Sequence, residues 1–558
     1  MAEIILPGTY ITVRDEALIS AGRVVTGNIG IVGTANKGPV NEVKILGSFT
    51  EAKEMFGNSD PWQGGDNNEL TLIRTLEQIY NNGGKTVYAV RTASNIAQEA
   101  AYVVTADDDS DLTKLEAKTP GTWANEIAIE ITDADEASVV SEELSGDAAS
   151  LRRTHVVESG GLNNITVKQQ SSGLVLRYTI VYNVAVNNTL PQVSINTTTG
   201  ALSFTSLAGF APVAADTIVA RYQVPAAESK KVEMTYGATK ERYYVADASH
   251  LAEQVNRSSS IVAAEEADET AFLNDMPANT NGKKLFGTGI DGNTAGANGE
   301  SATADDYKTS LALLEIDIIN IVMLAGQTDT NAQMVTALLG HINATAEIKR
   351  ERIGLIGSNG TTNVDAISGH TLNSERLIFV APGVKVSPGE TLTGAYTAAA
   401  VAGMISSLPV QASPTNKPLN IPGLTAEFSS SKLEKLILNR VLAVEKREGF
   451  RVVKGITTST NSAWHQITTR RIVDYAIYGV RSSCNPYIGK LNNERVRGAM
   501  KATLDAFLTR MVEDEALISY ELEVSASRAQ EIAGEAIVTM TIRPTFSIDF
   551  IKVAMFLG

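Results

Sequence analysis

The sequence predicts a multidomain α/β and β protein: a central, largely parallel α/β sheet, an inserted β-domain, an α+β C-terminal domain and extended terminal strands. Three observations carry this prediction. Residues 305–425 alternate continuous apolar runs (IINIVMLAG, RIGLIGS, RLIFVAPG) with amphipathic helical stretches, the pattern of parallel strands covered on both faces. Residues 160–245 are rich in Val, Ile, Thr and Tyr with short polar breaks, as in NITVKQQ, LVLRYTIVYNV and DTIVARYQV, which reads as a separate β-domain. Near both ends, short runs alternate with period two, as strands do.

Taken in order, residues 1–25 look extended: after Pro7-Gly8, Tyr10, Thr12 and Arg14 alternate with Ile11 and Val13. Strand GNIGIVGTA, a turn at Lys37-Gly38-Pro39 and strand EVKILG follow. A helix is expected over 48–56, with Ser48 as its N-cap and Gly57 closing it. A second, over 69–80, ends at Asn81-Asn82-Gly83-Gly84 before strand TVYAVR. From about 100 the texture turns acidic and then β-rich, and the Gly/Asn-rich LFGTGIDGNTAGANGE marks the next boundary. Helices over 331–349 and 396–407 punctuate the central sheet. PVQASPTNKPLNIPG, with four prolines, reads as an extended linker.

Between 432 and 510 there are 15 Lys and Arg against 6 Asp and Glu, net +9, which leaves −25 on the remainder of a chain whose total is −16. Such asymmetry concerns partners rather than fold. This stretch predicts helix SSSKLEKLILNRVLA, strand RVVKGITT, a helix through Arg470 to Arg481 and a long helix over 493–511. A two-stranded close, LISYELEVS and EAIVTMTIRP, leads into a terminal run in which Phe546, Ile548 and Phe550 alternate with Ser547 and Asp549. An apolar run of this kind must find a sheet. It forms either the last strand of its own domain or an arm that adds a strand to a neighbour's sheet.

Composition narrows the function classes. A chain of 558 residues with 43% hydrophobics can bury three or four domains of ~100–200 residues each. The overall negative charge argues against a general nucleic-acid binder, and the basic helices lack the aromatic clusters that stack bases. Cys484 stands alone, so neither an internal disulfide framework nor a Cys-based zinc site is expected. The start, MAEIILPG, lacks a basic n-region, so no secretory signal is expected and folding is placed in a cytoplasm. The weakly polar stretch 397–410 is too short to span a bilayer.

Chemistry finds no home in the motifs. Gly83-Gly84-Lys85-Thr86 resembles the tail of a phosphate loop, yet Ile79 stands where the first glycine is needed and a strand follows. A helix C-cap turn explains the glycines. The run 287–299 holds neither a dinucleotide fingerprint nor a calcium loop. His155, His250, His341, His370 and His465 show no paired metal spacing, and no serine lies in GxSxG. Cys484 reads as a structural thiol rather than a nucleophile. No catalytic residue, cofactor or metal site is expected.

The motifs, in their order, do resemble a family. PGTYITVRD, IGIVGTANKGPVNEV, Phe56-Gly57, NNGGKTVYAVR, KTPGTWANEIAIEI, GTGIDG, LLEIDIINIVMLAG, RLIFVAPG and AGMISSLP are similar to successive stretches of contractile phage tail sheath proteins, which are also like the sheaths of related injection systems. Ala124 and KGITTS at 454–459 depart from the usual pattern. The resemblance implies a central domain of subtilisin-like topology without a triad. It divides the chain into an N-terminal arm (1–25), an α/β core segment (26–99), inserted outer β-rich domains (100–285), a central α/β domain (286–428), a basic C-terminal domain facing a tube (429–542) and a C-terminal arm (543–558).

It implies a structural protein of the virion, assembled in the host cytoplasm as stacked hexameric rings. These rings surround a tail tube and meet baseplate and tail terminator proteins at the ends, without nucleic acid or membrane insertion. Contraction would drive the tube through the host envelope. The arms would carry Ile4, Tyr10, Ile11 and Val13 at one end and Phe546, Ile548, Phe550, Val553 and Phe556 at the other. Lys432, Lys435, Arg495, Arg497 and Lys501 are the candidate tube contacts, chosen by charge and helical spacing. The rival classes are an α/β enzyme with an inserted β-domain and a surface-layer or adhesin protein.

Overall fold

The computed structural model describes residues 26–555 apart from 59–69, 152–156, 161, 266–274, 288–292, 300 and 388–389. The chain divides into two compact units. One contains the chain through Thr34, Asn41–Thr92 and everything from Ala302 on; the other contains Ala35–Val40 and Ala93–Ser301.

The first unit is built on a nine-stranded sheet, in the order Val43–Leu46, Val87–Arg91, Ile29–Gly33, Ile321–Thr328, Ile353–Gly357, Leu377–Ala381, Leu442–Lys446, Phe450–Val452 and Pro418–Leu419. The six strands from Val87–Arg91 to Leu442–Lys446 run parallel. The strands outside them are antiparallel, so the sheet is mixed. Its middle strands are the continuous apolar runs of the sequence: every residue of Ile29–Gly33, Ile353–Gly357 and Leu377–Ala381 is buried, as two-sided covering requires.

Helices Ala304–Ala312, Ala332–Glu347 and Ser430–Leu438 close one face through Leu311, Leu338, Ile342, Leu433 and Leu436. The Ala-rich helix Gly394–Ser407 packs against the Leu72–Asn81 helix at the closest range that backbone allows. A Cβ on Gly403 would stand 2.2 Å from the Ile79 carbonyl oxygen. Gly83, at φ 99°, then closes the Leu72–Asn81 helix with its N–H donated to Tyr80 O, the C-cap turn that the glycines suggest.

Two expectations shift. The strands Leu442–Lys446 and Phe450–Val452 belong to this central sheet, so it runs past the expected boundary at 428/429. The crossover helix Ser430–Leu438 delivers Leu442–Lys446 parallel to Leu377–Ala381, the usual way a parallel neighbour is added. The proline-rich stretch also contributes an edge strand, Pro418–Leu419, where a missing N–H is tolerated.

Beyond the sheet, helices Ile467–Cys484 and Glu494–Glu513 and the hairpin Leu517–Ser525/Ile537–Pro544 share a small core of Ile472, Ala476, Leu508, Met511 and Leu517. The first of these helices is also fastened to the sheet by charge. Arg470 pairs with Glu375 at 2.8 Å and Asp474 at 2.7 Å, Arg376 with Asp474 at 2.8 Å, and Arg481 with Glu351 at 2.6 Å.

The second unit is β-rich. One four-stranded sheet holds Thr239–Val245, Lys230–Tyr236, Ala128–Asp133 and Lys284–Leu285; another holds Ser138–Ser145, Thr217–Val224, Asn164–Lys168 and Val175–Arg177. Alternation sends Ile129, Ile131, Val232 and Met234 into one core and Ile165, Ile218, Ala220 and Tyr222 into the other. Here the early turn and the TPGTWAN stretch meet. The Lys37 ammonium lies 5.2 Å from the Trp123 ring centre and 5.0 Å from that of Tyr236, and Gly38 N–H donates to Thr119 Oγ1 at 3.3 Å. Asn125 and Gly296 exchange two hydrogen bonds of 2.9 and 2.7 Å. Motifs far apart in sequence are thus one structural joint.

Candidate assembly site

The hairpin Leu517–Ser525/Ile537–Pro544 forms a two-stranded sheet of its own. Eight register pairs join it, and Val538, Met540 and Ile542 alternate half-buried with exposed neighbours. In a two-stranded sheet each strand has one outer edge, and among the described residues neither edge is paired with a further strand. Open edges are templates for strand addition.

Past Pro544 the chain turns back along its own unit, held by its polar residues. Ser547 N–H donates to Gln466 Oε1 at 3.4 Å, Gln466 Nε2 donates to Asp549 Oδ2 at 3.4 Å, and Lys454 pairs with Asp549 at 3.4 Å. The period-two alternation therefore turns the apolar row outward. Phe546, Ile548, Phe550 and Val553 are 58, 80, 77 and 77% exposed, and the Lys454 ammonium lies 5.1 Å from the Phe550 ring centre. Phe556 and the opposite set, Ile4, Tyr10, Ile11 and Val13, lie outside the described residues.

The five cationic candidates do not form one patch. Lys432 and Lys435 sit on Ser430–Leu438, a helix of the central sheet, and Lys435 is paired with Asp365. Arg495, Arg497 and Lys501 lie in the first half of Glu494–Glu513. Arg497 is engaged internally, with Glu531 at 3.0 Å and Asn492 Oδ1 at 2.9 Å, whereas Arg495 and Lys501 are exposed.

Much of the basic surplus is spent inside the unit. Arg470 is buried between two carboxylates, and its guanidinium carbon stands 4.4 Å from the Trp464 ring centre. Arg471 donates to the carbonyls of Leu408 at 2.9 Å and Pro409 at 3.2 Å, and burial brings its pKa down to about 10, still charged at neutrality. Counting charge along the sequence could not find these residues, because Glu351 and Glu375 come from a distant stretch.

The ionisable groups serve structure. Burial pushes the Cys484 thiol up, the reverse of an activated nucleophile. His341 lies 2.9 Å from Arg352 Nη1; burial first, and the Arg352 charge second, hold its pKa down to about 3. Arg352 itself donates to the Leu314 carbonyl at 3.2 Å, next to the turn it braces. No three His, Cys, Asp or Glu side chains among the described residues are grouped to hold a metal. No helix among them is long and apolar enough to cross a membrane.

An apolar row left in solvent beside strand edges unpaired among the described residues is an arrangement that strand addition can complete. Comparison with known proteins gives the family. Residues 300–458 match the phage tail sheath protein central domain, and 459–558 match the phage tail sheath C-terminal domain. Residues 300–558 are thus two consecutive domains of the phage tail sheath family, a family of structural proteins. The tail sheath protein of Bacillus phage SP01 is 25% identical over 243 residues, a stretch spanning 41% of this chain and 42% of that protein.

Two solved structures share the fold. The sheath tail protein of Desulfitobacterium hafniense superposes with a TM-score of 0.58 at 13% identity, covering 96% of this chain and 100% of its own. That of Listeria innocua gives 0.59 at 14%, covering 94% and 93%.

Proposed function

We propose that this chain is the subunit of a contractile tail sheath, which polymerises as stacked hexameric rings around a tail tube by exchanging strands between copies. The observation that carries this reading is the outward apolar row at 546–553 beside a hairpin with both edges open. Among the described residues, each copy offers a segment that its own unit does not pair and an edge that its own unit does not fill. An added strand of ~6 residues contributes several backbone hydrogen bonds of ~0.5–1.5 kcal/mol each, besides burial of its apolar side chains at ~25 cal/mol per Å². Such links hold neighbours together while rigid bodies move between extended and contracted arrangements.

In this reading the central domain is subtilisin-like in topology and serves only as scaffold. Baseplate and terminator proteins cap the ends, the assembly is a virion component built in the host cytoplasm, and the stroke drives the tube through the host envelope. The basic C-terminal face meets an acidic tube through screened charge pairs that release on contraction. Of the candidates, Arg495 and Lys501 suit this contact best, being exposed.

Negative-stain microscopy of the purified chain tests the reading. The full chain should form tubes or rings as concentration rises. A chain ending at Pro544 should remain a folded, soluble monomer. Normal tubes from the truncated chain would refute strand exchange through this segment.

A further inference from the structure

We propose that the inserted unit carries a binding site for an anionic saccharide. The site is a cavity of about 650 Å³ between the outer face of the Ser138–Ser145/Thr217–Val224 strand pair and the helix Ala248–Ser258. Arg221 rises from the strand wall opposite Ser141 in register. The helix presents His250, Glu253, Gln254 and Arg257 at i, i+3, i+4 and i+7, a single face. Arg242 and Tyr244 come from the strand that precedes it.

Charge makes the site unusual. The unit holds 15 Lys and Arg against 28 Asp and Glu, net −13, yet three guanidiniums converge here against only Glu136 and Glu253 in the cavity wall. Arg242 is steadied by Glu233 at 3.2 Å. Arg221 and Arg257 have no ion-pair partner among the described residues. Guanidiniums gathered against the prevailing field and left without carboxylates form a receptor for an anionic group.

The remaining wall suits a polyhydroxyl body. The volume falls within the ~300–1,000 Å³ of pockets that enclose small organic molecules, beyond what a lone carboxylate or phosphate fills. Its lining is mostly polar, and its fixed parts are preformed. Gln254 Nε2 donates to the Tyr244 carbonyl at 3.2 Å and lies 2.9 Å from His250 Nε2, while the Tyr244 hydroxyl donates to Asp135 at 2.8 Å. Preformed walls lower the ordering cost of binding. Glu136 can accept from sugar hydroxyls, leaving Arg221 and Arg257 for the charge.

Isothermal titration of the full chain tests the site with 3′-sialyllactose, which carries a carboxylate, and glucose 6-phosphate. Lactose, glucose and inorganic phosphate serve as controls. At least one charged sugar should bind with a Kd of about 1 mM or tighter, about tenfold tighter than its neutral counterpart and than inorganic phosphate. Which of the two binds identifies the acid group. R221Q and R257Q, both at exposed positions, should each weaken binding about fivefold or more with an unchanged melting temperature. Equal affinity for charged and neutral sugars, equal affinity for inorganic phosphate, or unchanged binding by both variants would each overturn the proposal.

Discussion

The strand Leu377–Ala381 and the terminal run 546–553 are built from similar residues and meet opposite fates. In LIFVA every side chain is buried between two layers of helix, and its backbone pairs with a strand on either side. In FSIDF the polar residues bind the protein's own body and the apolar ones face water. Apolar content alone therefore does not say what a segment does. The deciding feature is which half of the alternation finds its partners within the chain: a segment that satisfies its polar half and exposes its apolar half presents a row that another molecule can cover.

The largest effect should separate these two regions. Phe379→Ala, at a wholly buried position, should cost ~3–5 kcal/mol, read as a shift in the urea midpoint. Phe550→Ala should change subunit stability by less than ~0.5 kcal/mol and yet impair polymer formation in sedimentation. A comparable stability loss in both variants would break the contrast.

A second comparison lies between buried and surface charge. Asp474→Asn deprives Arg376 and Arg470 of a shared carboxylate in a site where Arg470 is 4% exposed, and should cost ~2–4 kcal/mol. Glu427→Gln, which breaks the exposed pair with Lys446, should cost less than ~1 kcal/mol. Next in size, Gly403→Ala must push the Leu72–Asn81 and Gly394–Ser407 helices apart, at ~1–3 kcal/mol. Thermal unfolding in parallel would rank the three, and an inert Asp474→Asn would show that the ladder does not fasten the Ile467–Cys484 helix.

Much of this was legible beforehand where burial is two-sided and local. IGIVG, IGLIG and LIFVA announce themselves because every position is apolar. Ser48 caps the Phe49–Phe56 helix by accepting from Glu51 N–H, as its position suggested. The strand Ile537–Pro544 also keeps Val538, Met540 and Ile542 on the half-buried side. What depended on distant partners was not legible. Leu442–Lys446 ends in charged residues and follows a basic helix, so its place beside Leu377–Ala381 was hidden. The basic surplus of 432–510 looked like a surface because Glu351 and Glu375, which neutralise part of it, lie about a hundred residues upstream of their partners. Lys37, in a turn, and Trp123, in the short helical segment Thr122–Glu126, likewise reveal their pairing only once the unit is folded.

A last effect, read through pH, concerns a buried group on a helix that covers the central sheet, a feature the exposed tail lacks. A guanidinium N–H can only donate, so the 2.9 Å contact from Arg352 makes His341 Nε2 an acceptor and places the ring proton on Nδ1. Burial first, and second the Arg352 charge that a protonated Nε2 would face, bring the folded pKa down to about 3. In the unfolded chain the ring titrates near its ordinary value of ~6.5. Between these values the unfolded chain holds a proton that the folded chain does not, so this group's contribution to stability is complete above pH ~6.5 and is lost as pH falls toward 3. From pH 7 to 5 the loss should amount to ~1–2 kcal/mol. His341→Gln keeps an acceptor for Arg352 and removes the titration, so it should flatten the pH dependence of the urea midpoint over that range. An unchanged slope would assign the acid sensitivity of the sheet to other groups.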